Sequence, residues 1–171
     1  MTLGAIKAFG LKEVKITDSA GGNVVTLPAG MVLSVREEVT SEEFEAEGIV
    51  VGSVSVVRSV RGDLEAGGIS LAAYARLTGR TASSAGSTPN ETLTLGANAG
   101  DVFPYVRIYG RSVGDAGDDV HCKLYKAKVS DVQGVFRDGE FWVSSLAGLA
   151  MKDASTGKTL EFVQHETAAG L

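Results

Sequence analysis

The chain is poor in the residue types that small-molecule chemistry most often uses. Among 171 residues there is one cysteine, Cys122, and there are two histidines, His121 and His165. One cysteine cannot close an internal disulfide, which fits a chain made and folded in a reducing cytoplasm. Two histidines and one cysteine also fall short of the ligand number and spacing of a zinc site. His121 and Cys122 are neighbours of base and nucleophile type, but in an extended strand they point to opposite faces and cannot form a hydrogen-bonded dyad. No catalytic residue, metal or cofactor is expected, and the chain reads as no enzyme. No stretch approaches the roughly 18 consecutive apolar residues that cross a bilayer. Lys7 and Lys12 break up the N-terminal stretch, against an export signal. The expectation is a soluble chain with no membrane partner. An excess of positive charge is missing too: 16 Lys and Arg stand against 21 Asp and Glu, a net charge of −5. Affinity for a phosphate backbone comes from basic residues displacing counterions, so tight nucleic-acid binding is not expected.

Proline, at three residues, is also scarce, whereas glycine, at 22, is plentiful and follows no fixed period. That combination excludes collagen and points to many turns between short strands. Period-two patterning supports this. Met31, Leu33, Val35 and Val39 alternate with Ser34, Arg36 and Glu38. Over residues 50–65, Val50, Val54, Val56, Val60 and Leu64 are read as one face, and Ser53, Ser55, Ser59, Arg61, Asp63 and Glu65 as the other, with a possible bend at Gly62. Arg61-Gly62-Asp63 matches an adhesion tripeptide too short to be specific, and the glycines of 62–68 are read as a turn because no phosphate-loop signature accompanies them. Residues 69–79 read as a short helix, with Ser70 as N-cap, Gly79 at the C-terminal position, and Leu71, Tyr74, Ala75 and Thr78 on one face. Further strands are expected over 92–95, 103–113, 120–132, 140–151 and 158–165, separated by turns at 114–118, 138–139 and 155–157 and paired sequentially.

The resulting expectation is one mainly β domain, a β-sandwich or barrel with a short flanking helix and a long protruding hairpin. Its parts are an N-terminal segment (1–30), the hairpin (31–65), the helix (69–79), a loop (80–91) and antiparallel strands (92–167). Two stretches carry functional candidates. Glu37, Glu38, Glu42, Glu43, Glu45 and Glu47 form an acidic run with Phe44 among them. It reads as a solvated loop or hairpin tip, as a helix capped by Thr40 or Ser41, or as an electrostatic surface that keeps a polyanion from sticking or meets a neighbour's basic patch. Glu42, Glu43, Phe44, Glu45 and Glu47 are the candidates for an inter-ring or inter-subunit contact. The second stretch alternates Phe103, Tyr105, Arg107, Tyr109 and Arg111. Such residues serve packing or an interface more readily than base stacking in an acidic chain. Together with Glu37, Glu38, Arg61, Asp63 and Glu65, the residues Tyr105, Arg107, Tyr109 and Arg111 are candidates for an interface or the wall of a lumen.

Taken in order, several segments resemble the major tail tube proteins of long-tailed bacteriophages. They are Glu45 to Gly48 at the hairpin tip, Gly67-Gly68-Ile69-Ser70-Leu71 leading into a helix closed by Leu77-Thr78-Gly79, and Phe103-Pro104-Tyr105 opening a strand. Asp119 to Lys128, Phe136 to Phe141 and Leu160 to Thr167 continue the pattern, so the resemblance runs from about Val32 onward. It implies a structural virion protein, made in the host cytoplasm, whose homohexameric rings stack into a hollow tail tube. Its implied partners are itself, a tail initiator, a tape measure and a terminator, with DNA only as a passenger that the wall repels. Six copies at −5 carry −30 per ring. The alternatives are the tube protein of a contractile injection or secretion system and, from another class, a monomeric small-ligand-binding β-barrel.

Overall fold

The structure is a computed structural model that describes residues 8–27, 30–68, 70–114, 117–135, 138 and 143–171. The strands are β1 (Ala8–Asp18), β2 (Val25–Leu27), β3 (Gly30–Ala46), β4 (Ile49–Gly67), β5 (Ser83–Ala85), β6 (Thr92–Thr94), β7 (Tyr105–Gly114), β8 (Asp119–Val135), β9 (Val143–Ala150) and β10 (Leu160–His165), and the helix is α1 (Leu71–Thr78). Eight strands join one antiparallel sheet in the order β2-β1-β7-β8-β9-β4-β3, with β10 also on β8, while β5 and β6 form a separate hairpin.

This is one continuous sheet rather than two stacked ones, and among the described residues its ends do not hydrogen-bond to close a barrel. It curls so that β1 and β3 pack across the core. A Cβ on Gly110 would lie 2.5 Å from Leu33 Cδ2 and 3.4 Å from Leu11 Cδ1, so the two walls meet where that side chain is missing. Val14, Ile16, Val60, Leu64, Val106 and Leu124 fill the interior. The space left among Leu33, Leu64, Leu124 and Leu146 is about 10 Å³. A small-ligand cavity needs several hundred Å³, so the curled sheet encloses a packed core and no such cavity there.

β8 is the spine. One edge carries β7, and the other carries β10 along 119–124 and β9 along 127–135. At Lys126, which takes a positive φ of 45°, the strand changes register, and there one partner gives way to the next. β9 and β10 therefore lie end to end along one edge of β8. The turn expected at 155–157 exists, with Gly157 N–H donating to the Asp153 carbonyl, but it does not make a hairpin of its flanking strands. Sequential pairing likewise fails for β1 with β7 and for β4 with β9. The turn at 114–118 is present, Gly114 N–H donating to the Asp118 carbonyl at 2.7 Å, whereas Gly139 lies outside the described residues.

α1 starts where Ser70 Oγ accepts the Ala73 N–H at 3.3 Å and stops at Gly79, whose φ is 70°. Its buried side chains are Ala73, Leu77 and Thr78, so the face that packs on β1, β2 and β7 is rotated from the one expected; Leu71, Tyr74 and Ala75 are half-buried. Residues 61–67, read as containing a turn, are strand throughout and pair with β9 without a register shift, so no bulge falls at Gly62.

Candidate functional site

Beyond Val60, β4 leaves β9 and pairs with β3 alone as far as Ile49. The last pair is Ala46 with Ile49, and the link between them is Glu47 (φ 55°) and Gly48 (φ 78°). Positive φ at both central residues is the two-residue turn whose twist suits a hairpin. At about 3.4 Å per residue, the ribbon from Glu38 to Ala46 projects roughly 27 Å from the body. The acidic run is therefore strand and turn, and the helical alternative does not form.

Register along this arm settles which side chains share a face. Two bulges, at Arg58 and Val51, each put one extra residue in β4. The first moves Val56 and Val54 opposite Thr40 and Glu42, on the side of β3 that carries Arg36 and Glu38. The second moves Val50 opposite Glu45. Val54 and Val56 thus leave the face of Val60 and Leu64, and Val50 returns to it, because the alternation is broken twice. Phe44, Ile49, Val54 and Val56 end up on one face of the arm, 70%, 68%, 65% and 59% exposed. Val39, Val50 and Val57 are exposed on the other. A monomeric protein seldom leaves apolar side chains of a β-ribbon bare on both faces to this extent.

The arm's charges are distributed just as unevenly. Near its base, Glu38 accepts from Ser59 Oγ at 2.6 Å and from Arg61 Nε at 2.5 Å, and these bonds, Ser59's foremost, hold its carboxyl below the usual range. Glu37 is exposed opposite Val60. Glu42, Glu43, Glu45 and Glu47 are exposed and form no ion pair with any described residue. Arg61, Asp63 and Glu65 line the outer face of β4, where Ser34 Oγ reaches Asp63 Oδ2 at 3.5 Å.

The β7 candidates separate into two groups. Arg107 pairs with Asp153 at 3.2 Å and lies over the Tyr125 ring at 5.6 Å. Arg111 donates to the Ala169 carbonyl at 2.8 Å and stands 3.5 and 3.6 Å from Glu13 and Asp119. Both are largely covered by their own chain, in a polar layer with Glu13, Asp119, Asp153 and Ala169. Asp119, fully buried, accepts the Ala169 N–H at 2.7 Å. His121 lies buried beside it, Nε2 at 3.7 Å, with the His165 ring 4.4 Å away. Burial and then His165 hold the His121 pKa below its ordinary value. Tyr125, beneath the same layer, donates to Glu161 at 2.6 Å, and burial first of all pushes its pKa up to about 12. Tyr109 borders a groove of about 400 Å³ with Lys15 and Lys123. Tyr105 stays partly exposed, with the ammonium groups of Lys126 and Lys128 over its ring at 5.1 and 5.4 Å. Cys122, on the other face of β8, has its thiol pushed up to about 11 by burial.

Nothing in the spacing of Asp119, Lys126 and Lys128 in the sequence distinguishes them from surface charge. Only the pairing of strands far apart in the chain brings them to their partners.

No family model and no curated protein matches the chain. Among solved structures, the chain is similar to a chain in the six-fold symmetrised baseplate of the anti-feeding prophage, with 12% identity, a TM-score of 0.47, and coverage of 96% of this chain and 97% of that one. It is also similar to a chain in the sheath and tube terminator of an extracellular contractile injection system, PVC, in its extended state, with 10% identity, a TM-score of 0.47, and coverage of 95% and 99%.

Proposed function

We propose that this chain is a structural tube protein, six copies of which close into a ring and whose rings stack into a hollow tail tube that carries phage DNA. The observation that supports this most directly is the arm. A ribbon extending roughly 27 Å beyond the core, apolar on both faces and tipped with carboxylates that have no cation partner among the described residues, makes physical sense when a neighbouring copy covers it. Closing a ring also gives the open edges of the sheet a partner, which removes the hazard that free strand edges pose. A net charge of −5 per chain suits a conduit, because a negative bore holds DNA by repulsion and leaves it free to slide. A tail initiator, a tape measure and a terminator would complete such a tail.

The second reading places the same tube in a contractile injection system, the kind of machine named for one of the solved structures above. Self-assembly through the arm is common to both readings, and the surrounding machine differs. The test is negative-stain electron microscopy of the purified chain at rising concentration, beside a variant lacking Ser41 to Glu47. Rings or tubes with a central hole are expected from the full chain and not from the deletant. A full chain that stays monomeric at every concentration would leave the ligand-binding reading instead, and normal tubes from the deletant would remove the arm from the assembly.

A further inference from the structure

The groove beside Tyr109 has a volume of about 400 Å³, and strand register sets its floor. Lys15 on β1 faces Tyr109 on β7, and Tyr109 faces Lys123 on β8, so two lysines flank one ring across three strands. Arg107 stands on the next rung of β7, opposite Thr17, with its guanidinium over the Tyr125 ring. Among the described residues these three cations line the groove, and no Asp or Glu side chain does. Glu13 holds Lys15 at 3.2 Å and Asp153 holds Arg107 Nη2 at the same distance, which fixes both cations in place. Glu161, opposite Lys123 in register, accepts from Tyr125 and Lys158, and Lys123 itself has no carboxylate within ion-pair distance among the described residues. Arg107 is the least satisfied of the three. Only its Nη2 is bonded to a described residue; Nε is buried without a partner, and Nη1 lies 3.0 Å from the point where a Cβ on Gly21 would stand. A glycine at that point of the groove wall leaves Nη1 room. Covered donors without acceptors are costly, and an oxyanion supplies acceptors. Lys15 already reaches the groove's edge, where its Nζ donates to the Leu171 carbonyl at 3.2 Å.

We propose that this groove binds a small phosphate monoester, its dianionic head between Lys15, Arg107 and Lys123 and its organic body against Tyr109 and Val24. Three cations match a dianion with three terminal oxygens better than a carboxylate with two. Val24, 56% exposed, and the Tyr109 ring offer the body apolar surface. An apolar wall with a few convergent polar groups, in a cleft of about 300–1,000 Å³, is how small-ligand sites are built. No residue of the arm lines the groove, so the inference goes beyond the tube reading and stands apart from it.

The test is a titration of phenyl phosphate into the dilute full chain, followed by amide NMR shifts. A dissociation constant on the order of 0.1–1 mM is expected, a range open to a ligand of about eleven heavy atoms, with the largest shifts at Gly21, Val24 and Tyr109. Phenol, the same ring without the charge, should bind at least about tenfold more weakly, and benzoate more weakly than phenyl phosphate. Lys123→Gln breaks no ion pair, so the variant should fold normally and lose about tenfold in affinity. Arg107→Lys keeps a cation for Asp153 but loses the planar fork, and it should weaken binding too. No saturable binding, shifts confined to other residues, phenol or benzoate binding as tightly, or a folded Lys123→Gln chain of unchanged affinity would each overturn the proposal. All of these readings are made on unassembled chain, so none of them decides whether the chain forms a tube.

Discussion

Single residues show where local conformation and packing constrain one another. Gly79 ends α1 in the left-handed region, and a Cβ there would lie 2.9 Å from Cδ of the Pro104 ring. A side chain adds backbone strain of about 1 kcal/mol and meets a rigid ring that cannot swing aside. Gly79→Ala should therefore lower the unfolding free energy by about 1–3 kcal/mol, seen as a lower urea midpoint with an unchanged slope. His121 gives a second test through pH. Its folded pKa lies below the ordinary 6.5, so between those two values the unfolded chain binds the proton and the folded chain does not. The stability it contributes is complete above pH 6.5 and is lost as pH falls from there through the folded pKa. Asp119 pulls the other way, but burial, His165 and Lys123 together outweigh it. The lowered carboxylates Asp18, Glu38, Asp101, Asp153 and Glu161 begin to lose their contribution only as pH falls through the ordinary values of 3.8 and 4.5. A denaturation series from pH 7 to about 5 should show declining stability, and His121→Gln should flatten that decline. An unchanged slope in the variant would mean the proton binds elsewhere.

At the scale of one element, β4 joins two environments and should answer mutation in two ways. Leu64 is 2% exposed in the core, and Leu64→Ala should cost about 2–5 kcal/mol of stability. Val54, on the same strand but out on the arm, should change monomer stability by less than about 0.5 kcal/mol when replaced by serine, yet weaken assembly. Chemical denaturation of dilute chain together with sedimentation of concentrated chain separates the two effects. The same strand shows what the sequence makes legible. Alternation marks β3 and β4 as long strands, because period two is a local property, and the resemblance puts the hairpin tip at Glu45 to Gly48. Where the alternation slips is not legible: nothing about Arg58 or Val51 announces a bulge, so the valines were grouped on one face when the bulges divide them. Residues 8–18, left within an unassigned N-terminal segment, form a strand because β7 pairs with them, with Val14 and Ile16 in the core. β9 and β10 share one edge of β8 for the same kind of reason, a choice of partner made across the whole chain.

At the scale of the whole molecule, distant pairings create surfaces that no stretch of sequence contains. Arg36, Arg61, Leu149, Lys128 and Tyr105 line up across the sheet from five strands, and Arg107, Arg111, Asp119 and His121 meet partners brought in by residues 153–169. Arg107 and Arg111 share a sheet face with Tyr105, as their spacing predicts, but they are more covered than Tyr105, which is 38% exposed. The packed core is thus separate from the exposed arm. Folding and assembly are thereby separable. If copies bind one another only when folded, mass action adds assembly to the apparent stability, and the melting temperature should climb as protein concentration rises. The chain without Ser41 to Glu47 keeps Val60, Leu64 and the β4–β9 pairing, so it should melt as a folded monomer at a temperature independent of concentration. Scanning calorimetry of both chains over a hundredfold range, about the span that moves a linked equilibrium by 2.7 kcal/mol, reads the difference directly. A concentration-independent melt for the full chain would mean that the exposed arm gains nothing from its neighbours.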